Sequence, residues 1–189
     1  MTNPLIEDYQ RRCTSGSDIH KHLPALHALA HECAFERPAI LAEFGTRGGE
    51  STTAFLAGLA GSNFGGTLHS YDIAPTSFAP AGELPANVIW KFHQSDTSAL
   101  GYFPHVDLLF IDTLHTAAQV TAELAHAPRV KSLLAFHDTV LFGSVDEGTG
   151  AAIGINHAIY DWMATPEGRK WQVRSHDWRN NGLLILERR

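Results

Sequence analysis

Two cysteines in 189 residues, Cys13 and Cys33, are too few and too widely spaced for a disulfide scaffold or a cysteine metal cluster. A reducing cytoplasm is therefore the expected compartment. No apolar run approaches the roughly 18 residues of a membrane span. The start, Met-Thr-Asn-Pro-Leu-Ile-Glu-Asp, lacks a signal peptide's basic residues and apolar stretch. Positive charge is scarce as well: 14 Lys plus Arg stand against 20 acids, for a formal net charge of −6. A nucleic-acid coat needs a positive face, so neither nucleic acid nor a membrane is expected as partner, and Arg188-Arg189 is only a local basic patch. Repeats and low-complexity tracts are absent, and 44% hydrophobic against 18% charged residues argues for one soluble domain with a real core.

Histidine is the residue in excess, at 12. It is the physiological proton carrier and the commonest metal ligand, which invites a site hypothesis. His20, His22, His27 and His31 fall mostly off the amphipathic stripe Ile19, Leu23, Leu26, Leu29, Ala30, and the bland reading of these four is a solvated helix face. Ser17 is the expected cap of that helix, and residues 1–16 read as polar and mixed.

Beyond Pro38 the chain alternates. Expected strands are 39–42, 67–72, 88–93, 106–112 and 132–136, with helices at 53–59, 116–127 and about 151–163 and a Pro-rich loop at 74–85. Continuous apolar strands alternating with helices indicate a parallel sheet covered on both faces. Two last strands, 171–174 and 183–186, joined across Asn180-Asn181-Gly182, form an antiparallel hairpin. The expected fold is α/β: a doubly wound, Rossmann-like sheet, mostly parallel with a C-terminal antiparallel hairpin. Residues 1–37 would be a helical extension, a candidate lid carrying Asp18, His20 and His22, and 38–189 the main domain.

In such a sheet ligands bind at the carboxyl ends of the strands. Each of the five main strands delivers an acid there: Glu43, Asp72, Asp96, Asp112 and Asp138. The loop Gly45-Thr46-Arg47-Gly48-Gly49 is neither the Gly-x-Gly-x-x-Gly of dinucleotide sites nor a P-loop. It offers backbone clearance without a strong anion cradle, and Glu43 and Glu50 favour a ligand of cationic character, which suits S-adenosylmethionine.

Through Glu-x-Gly-x-x-x-Gly-x-Ser at 43–51, an acid closing the second strand, an acid after the third and the terminal hairpin, residues 38–189 resemble the class I S-adenosylmethionine-dependent methyltransferases. The resemblance implies that Asp72 accepts hydrogen bonds from the ribose hydroxyls, and that Asp96 or Ser95 holds the adenine edge. Gly45 and Gly49, with Thr46 and Arg47 between them, would seat the methionine moiety, and Ser51 at a helix N-terminus would bind its carboxylate or serve as a plain cap. Asp112 would also border the cofactor.

Asp112-Thr113-Leu114-His115 and His137-Asp138 narrow the resemblance to the branch with metal-dependent sugar and catechol-like O-methyltransferases and the cephalosporin-hydroxylase-like proteins. It implies Asp112 and Asp138 as ligands of a divalent cation and His115 as the base, near its unperturbed pKa, that deprotonates the acceptor hydroxyl. Position 137 departs from the pattern: relatives have an acid there, and His137 would favour manganese, iron or zinc over magnesium, or stand outside the ligand set. The alternative without metal leaves Asp138 a structural cap and His115 and His137 acid-base groups.

The expected function is methyl transfer to an oxygen acceptor, a hydroxyl of a sugar or natural-product small molecule. Rivals are an inactive cofactor-binding protein or partner subunit, and a histidine-rich metallohydrolase that would leave the glycine loop and Asp72 without roles. A homodimer would suit so small an enzyme. The loop from Phe142 to Gly150 is expected to be mobile and to set acceptor selectivity, and an Asn amide of the hairpin turn would touch the acceptor. Trp162, Trp171 and Trp178 read as packing residues.

Overall fold

In a computed structural model, which describes residues 3–189, every expected strand is present, most of them lengthened by one or two residues at their ends. The first two residues of the N-terminal extension lie outside the described residues. The chain divides into two compact units, Met1–Ser95 and Asp96–Arg189.

The first unit carries three parallel strands, β1 (Ala39–Phe44), β2 (Gly66–Asp72) and β3 (Val88–Gln94), in the order β3-β2-β1. Leu41, Ala42, Phe44 and Leu68 are fully buried, as a strand covered by helices requires. Helix α1 (Pro4–Arg12) occupies part of the stretch read as merely polar. Asn3 caps it by accepting from Leu5 N–H at 3.0 Å, Pro4 stands in its first turn, and Asp8 pairs with Arg11 and Arg12 one turn on. Helix α2 (Leu23–Cys33) begins later than expected. Its cap is His22, not Ser17, because Pro24 fits only a first turn. His22 is fully buried, so this histidine is not on a solvated face. Helix α3 (Glu50–Gly61) packs closely on α2: a Cβ at Gly58 would collide with the His27 carbonyl.

The second unit has parallel β4 (Val106–Ile111) and β5 (Val130–His137), then the antiparallel pair β7 (Leu183–Arg188) and β6 (Trp171–Asp177), in the order β4-β5-β7-β6. β4 is buried throughout. Helix α4 (Ala117–Glu123) gives way at Leu124 to a 3-10 segment that contains Pro128, so the expected helix to 127 is shorter in its α-form. Helix α5 (Ile155–Met163) starts after Gly154, whose close approach to the Phe142 carbonyl leaves no space for a side chain. The expected α/β class, mostly parallel with a C-terminal antiparallel hairpin, is the class observed. Among the described residues no helix is long and apolar enough to cross a membrane.

Candidate functional site

The glycine loop lies in the first unit. Gly45, Arg47 and Gly49 adopt positive φ of 91°, 42° and 78°, which turns the chain sharply from β1 into α3. Gly49 admits no other residue easily, since a Cβ would also run into the Phe78 ring. Asp72, at the end of β2, holds the loop: Oδ2 accepts from the backbone N–H of Thr46 at 2.9 Å and of Arg47 at 3.0 Å, and Oδ1 from that of Ala74 at 2.9 Å. The Ser95 N–H in turn donates to the Asp72 carbonyl at 2.8 Å.

Glu43 and Ser51 stand behind this loop and face each other. Glu43 is fully buried, and its carboxylate accepts from Ser51 (2.7 Å), Thr52 (2.5 Å) and Ser70 (2.5 Å) hydroxyls. The expectation that Glu43 faces a cationic ligand is therefore corrected: its charge is answered by three O–H donors and anchors the start of α3. Ser51 likewise commits its hydroxyl to Glu43, and among the described residues no side chain caps the first-turn amides of α3. Sequence reading missed Arg12. Its guanidinium donates to the Gly48 carbonyl at 3.0 Å, stands 3.3 Å from Glu50 and lies 5.6 Å over the Phe78 ring. Asp18, from the segment read as a lid, pairs with Arg47 at 2.7 Å.

In the second unit, Asp96 is exposed and caps a 3-10 turn at Thr97–Ala99, accepting from Ser98 N–H at 2.9 Å and Ser98 hydroxyl at 2.6 Å. The hydrogen bonds from Ser98 hold its carboxyl below the usual range.

The acids and histidines at the ends of β4 and β5 form one cage. His115 Nε2 lies 2.9 Å from Asp138 Oδ2 and 3.1 Å from Asp112 Oδ1. His137, buried, places Nδ1 3.3 Å from each of the same two oxygens. Glu147 closes the other side. Its Oε2 accepts from His115 Nδ1 at 2.9 Å and from the His115 backbone N–H at 3.0 Å. The Phe142 ring stacks on His115 at 5.1 Å. Asp138 has φ of 58°, uncommon for a residue with a side chain. Below the cage Glu123 is buried and accepts from Thr97 (2.5 Å), Thr113 (2.9 Å) and Gln119 (2.9 Å), so it tethers the residue after Asp112. Glu147 and Glu123 act here from 32 and 10 residues along the chain from their partners, with no local motif to signal them.

The cage sets the charges. Burial opposes the charge on His115, but hydrogen bonds to Asp112 and Asp138 outweigh it and push the imidazole up to about 10. His137, by the same balance, is pushed up to about 9. Burial likewise opposes ionisation of Asp112 and Asp138, and the two histidines reverse it, holding both carboxyls below the ordinary range. The expectation of His115 near its unperturbed pKa is thus corrected for the cage by itself, where His115 is an imidazolium. The group able to hold a metal is Asp112, His115 and Asp138, whose donor atoms lie within 4.8 Å of one another, where the expected third member was His137.

A family model described as a methyltransferase domain matches residues 42–139, more than half of the chain. The chain belongs to this methyltransferase family. No curated protein matches its sequence. Solved structures of similar fold include the MycE methyltransferase from the mycinamycin biosynthetic pathway, in complex with Mg and SAH (18% identity, TM-score 0.63), which matches 100% of this chain and 55% of its own. The chain thus spans about half the length of that protein. The Bacillus cereus O-methyltransferase in complex with SAH has 15% identity and a TM-score of 0.62 over 100% of this chain and 92% of its own. SAH-bound Podospora anserina methyltransferase PaMTH1 has 14% identity and a TM-score of 0.61 over 100% and 89%. These solved structures share with the chain a Rossmann-like α/β methyltransferase fold with antiparallel C-terminal strands.

Proposed function

We propose that this methyltransferase moves the methyl group of S-adenosylmethionine to an oxygen, a hydroxyl of a sugar or natural-product small molecule. The observation that carries the reading is the convergence of Asp112, His115 and Asp138 within 4.8 Å at the ends of two adjacent strands. It is supported by the likeness to MycE, whose complexes hold Mg, SAH and mycinamycin VI, and to the Bacillus cereus O-methyltransferase.

The first unit's residues fit the cofactor. The positive-φ glycine loop brings bare backbone to the surface, α3 keeps its first-turn amides for a carboxylate, and Asp72 holds a carboxylate beside the loop for the ribose hydroxyls. When bound, S-adenosylmethionine supplies an electrophilic methyl on a sulfonium, so the chain has to position an acceptor and take its proton.

The second unit's residues fit a divalent cation. Asp138 Oδ1 is buried with no hydrogen-bond partner among the described residues, and Asp138 with Asp112 offers two carboxylates, oxygen ligands that suit a hard divalent cation such as magnesium or manganese. Asp112 and Asp138 would hold it, and it would lower the pKa of an acceptor hydroxyl while balancing the two carboxylate charges. His115 is then the proton acceptor. Glu147 takes the Nδ1 hydrogen, which leaves Nε2 facing Asp112 and Asp138 as the atom that receives the proton. Calorimetric titration with S-adenosylhomocysteine, followed by transfer assays on hydroxylated acceptors with and without EDTA, tests this reading. A protein that fails to bind S-adenosylhomocysteine would sink it.

A further inference from the structure

Arg12 ends helix α1, 36 residues before the glycine that it holds. A guanidinium is a planar fork whose donors point in fixed directions, and here three groups meet them. Nε donates to Asp8 Oδ2 at 2.9 Å, one turn back on the same helix, while Nη1 donates to the Gly48 carbonyl at 3.0 Å and stands 3.3 Å from Glu50 Oε1. The flat face lies on Phe78. Phe78 is itself fixed: it meets Trp90 of β3 edge-on at 5.2 Å, and its ring occupies the space that a side chain at Gly49 would need. Helix α1 is anchored too. Leu5 is fully buried, and a Cβ on Gly82 would sit 3.2 Å from the Pro4 ring, so α1 touches the Pro-rich loop that carries Phe78.

The glycine loop needs support of this kind. Gly45, Arg47 and Gly49 take positive φ within five residues, and for Arg47, which has a side chain, that backbone is unfavourable by itself. Asp72 holds the amides of Thr46 and Arg47, and Arg12 holds the next residue by its carbonyl. Asp18 also reaches the loop through Arg47, but those side chains are 37% and 80% exposed, and an ion pair in that much water contributes little. Asp8 and Arg12 are only 11% and 16% exposed. Burial opposes the charge on Asp8, and Arg12 and Arg11 reverse it, holding the carboxyl below the ordinary range. Of the two contacts from the N-terminal extension, the shielded one is the one that can fix the loop.

We infer that Arg12 is a positioning residue for the cofactor: by holding the Gly48 carbonyl and the Phe78 ring it keeps the glycine loop in the shape that receives S-adenosylmethionine. Helix α1 is then a fixed strut of the cofactor site and not a lid that opens and closes. The inference rests on the glycine loop being that site, as proposed above. A loop held in shape loses less conformational freedom when a ligand settles on it, so Arg12 acts on cofactor affinity.

The full chain is titrated calorimetrically with S-adenosylhomocysteine at a temperature well below its melting point, beside three variants of α1. Arg12→Ala should bind about tenfold more weakly. Arg11→Ala is the control, because Arg11 pairs with the same Asp8 but is exposed, and its affinity should equal that of the wild type. Arg12→Lys keeps a positive charge beside Asp8 without the planar fork, and about threefold weaker binding is expected. It also decides the matter if Arg12→Ala does not fold. Wild-type affinity in Arg12→Ala, even with a lowered melting temperature, would overturn the inference, since a purely structural arginine would give that result. Wild-type affinity in Arg12→Lys, or an equal loss in Arg11→Ala, would overturn it as well. Failure of the wild type to bind S-adenosylhomocysteine would count instead against the methyltransferase reading on which the inference depends, and would take the inference with it.

Discussion

His115 and Glu147, 32 residues apart, are joined at two points: one carboxylate oxygen of Glu147 takes both the ring Nδ1 hydrogen and the backbone N–H of His115. This fixes which ring nitrogen faces the acids. Glu147→Gln replaces a charged acceptor by an amide that also presents N–H donors, and the ring loses its orientation. Turnover is expected to fall about tenfold or more while S-adenosylhomocysteine affinity is unchanged, read by paired kinetics and calorimetry. Unchanged turnover would remove Glu147 from the mechanism.

The cage also sets a pH dependence of stability in cation-free protein. His115 has its folded pKa raised from 6.5 to about 10, so its contribution is whole below about 6.5 and is lost as pH rises toward 10. Asp138 is depressed, so its contribution is present above its unfolded value of 3.8 and is lost as pH falls through the folded value. Melting temperature should therefore decline between pH 7 and 10, by roughly 3 °C for each kcal/mol lost. His115→Ala should flatten that alkaline limb. A wild-type melting temperature constant over the window would contradict the charge assignment.

Much of this was readable in the residues and some was not. The apolar runs that became β1, β4 and β5 needed no tertiary information, because strands buried on both faces have no polar side to obscure them. Helix α1 escaped because its stability comes from the Asn3 cap and ion pairs from Asp8, which leave little apolar stripe. Asp72, Asp112 and Asp138 were legible from their positions at strand ends, and His115 from its place three residues after Asp112. Their working neighbours Arg12, Glu123 and Glu147 were not, since each meets the site through chain folding and carries no motif of its own. Trp178 was misread because tryptophan's average burial is high, and only the turn's position left it in solvent.

Removing Glu43 should cost stability out of proportion to its size. Glu43→Ala leaves the Ser51, Thr52 and Ser70 hydroxyls facing a dry gap, and about 3 kcal/mol is the expected loss by urea unfolding. Glu43→Gln keeps an acceptor oxygen and should lose less. Equal losses in the two variants would mean that packing, and not hydrogen bonding, is what Glu43 supplies.

Asp72→Ala should abolish measurable S-adenosylhomocysteine binding, because it removes the carboxylate proposed to meet the ribose and frees the Thr46 and Arg47 amides that shape the glycine loop. Asp96→Ala, at an exposed cap, should weaken it much less. Calorimetry on both variants separates the two acids, and a larger effect at Asp96 would reverse their roles.

The most direct measurement is transfer of a labelled methyl group from S-adenosylmethionine to a panel of hydroxylated small molecules by wild-type protein and His115→Ala, with Mn2+ present. Label is expected on acceptor oxygen with the wild type, and at a rate about 100-fold lower with His115→Ala. Label on nitrogen, carbon or sulfur, or full activity of His115→Ala, would contradict the proposed mechanism.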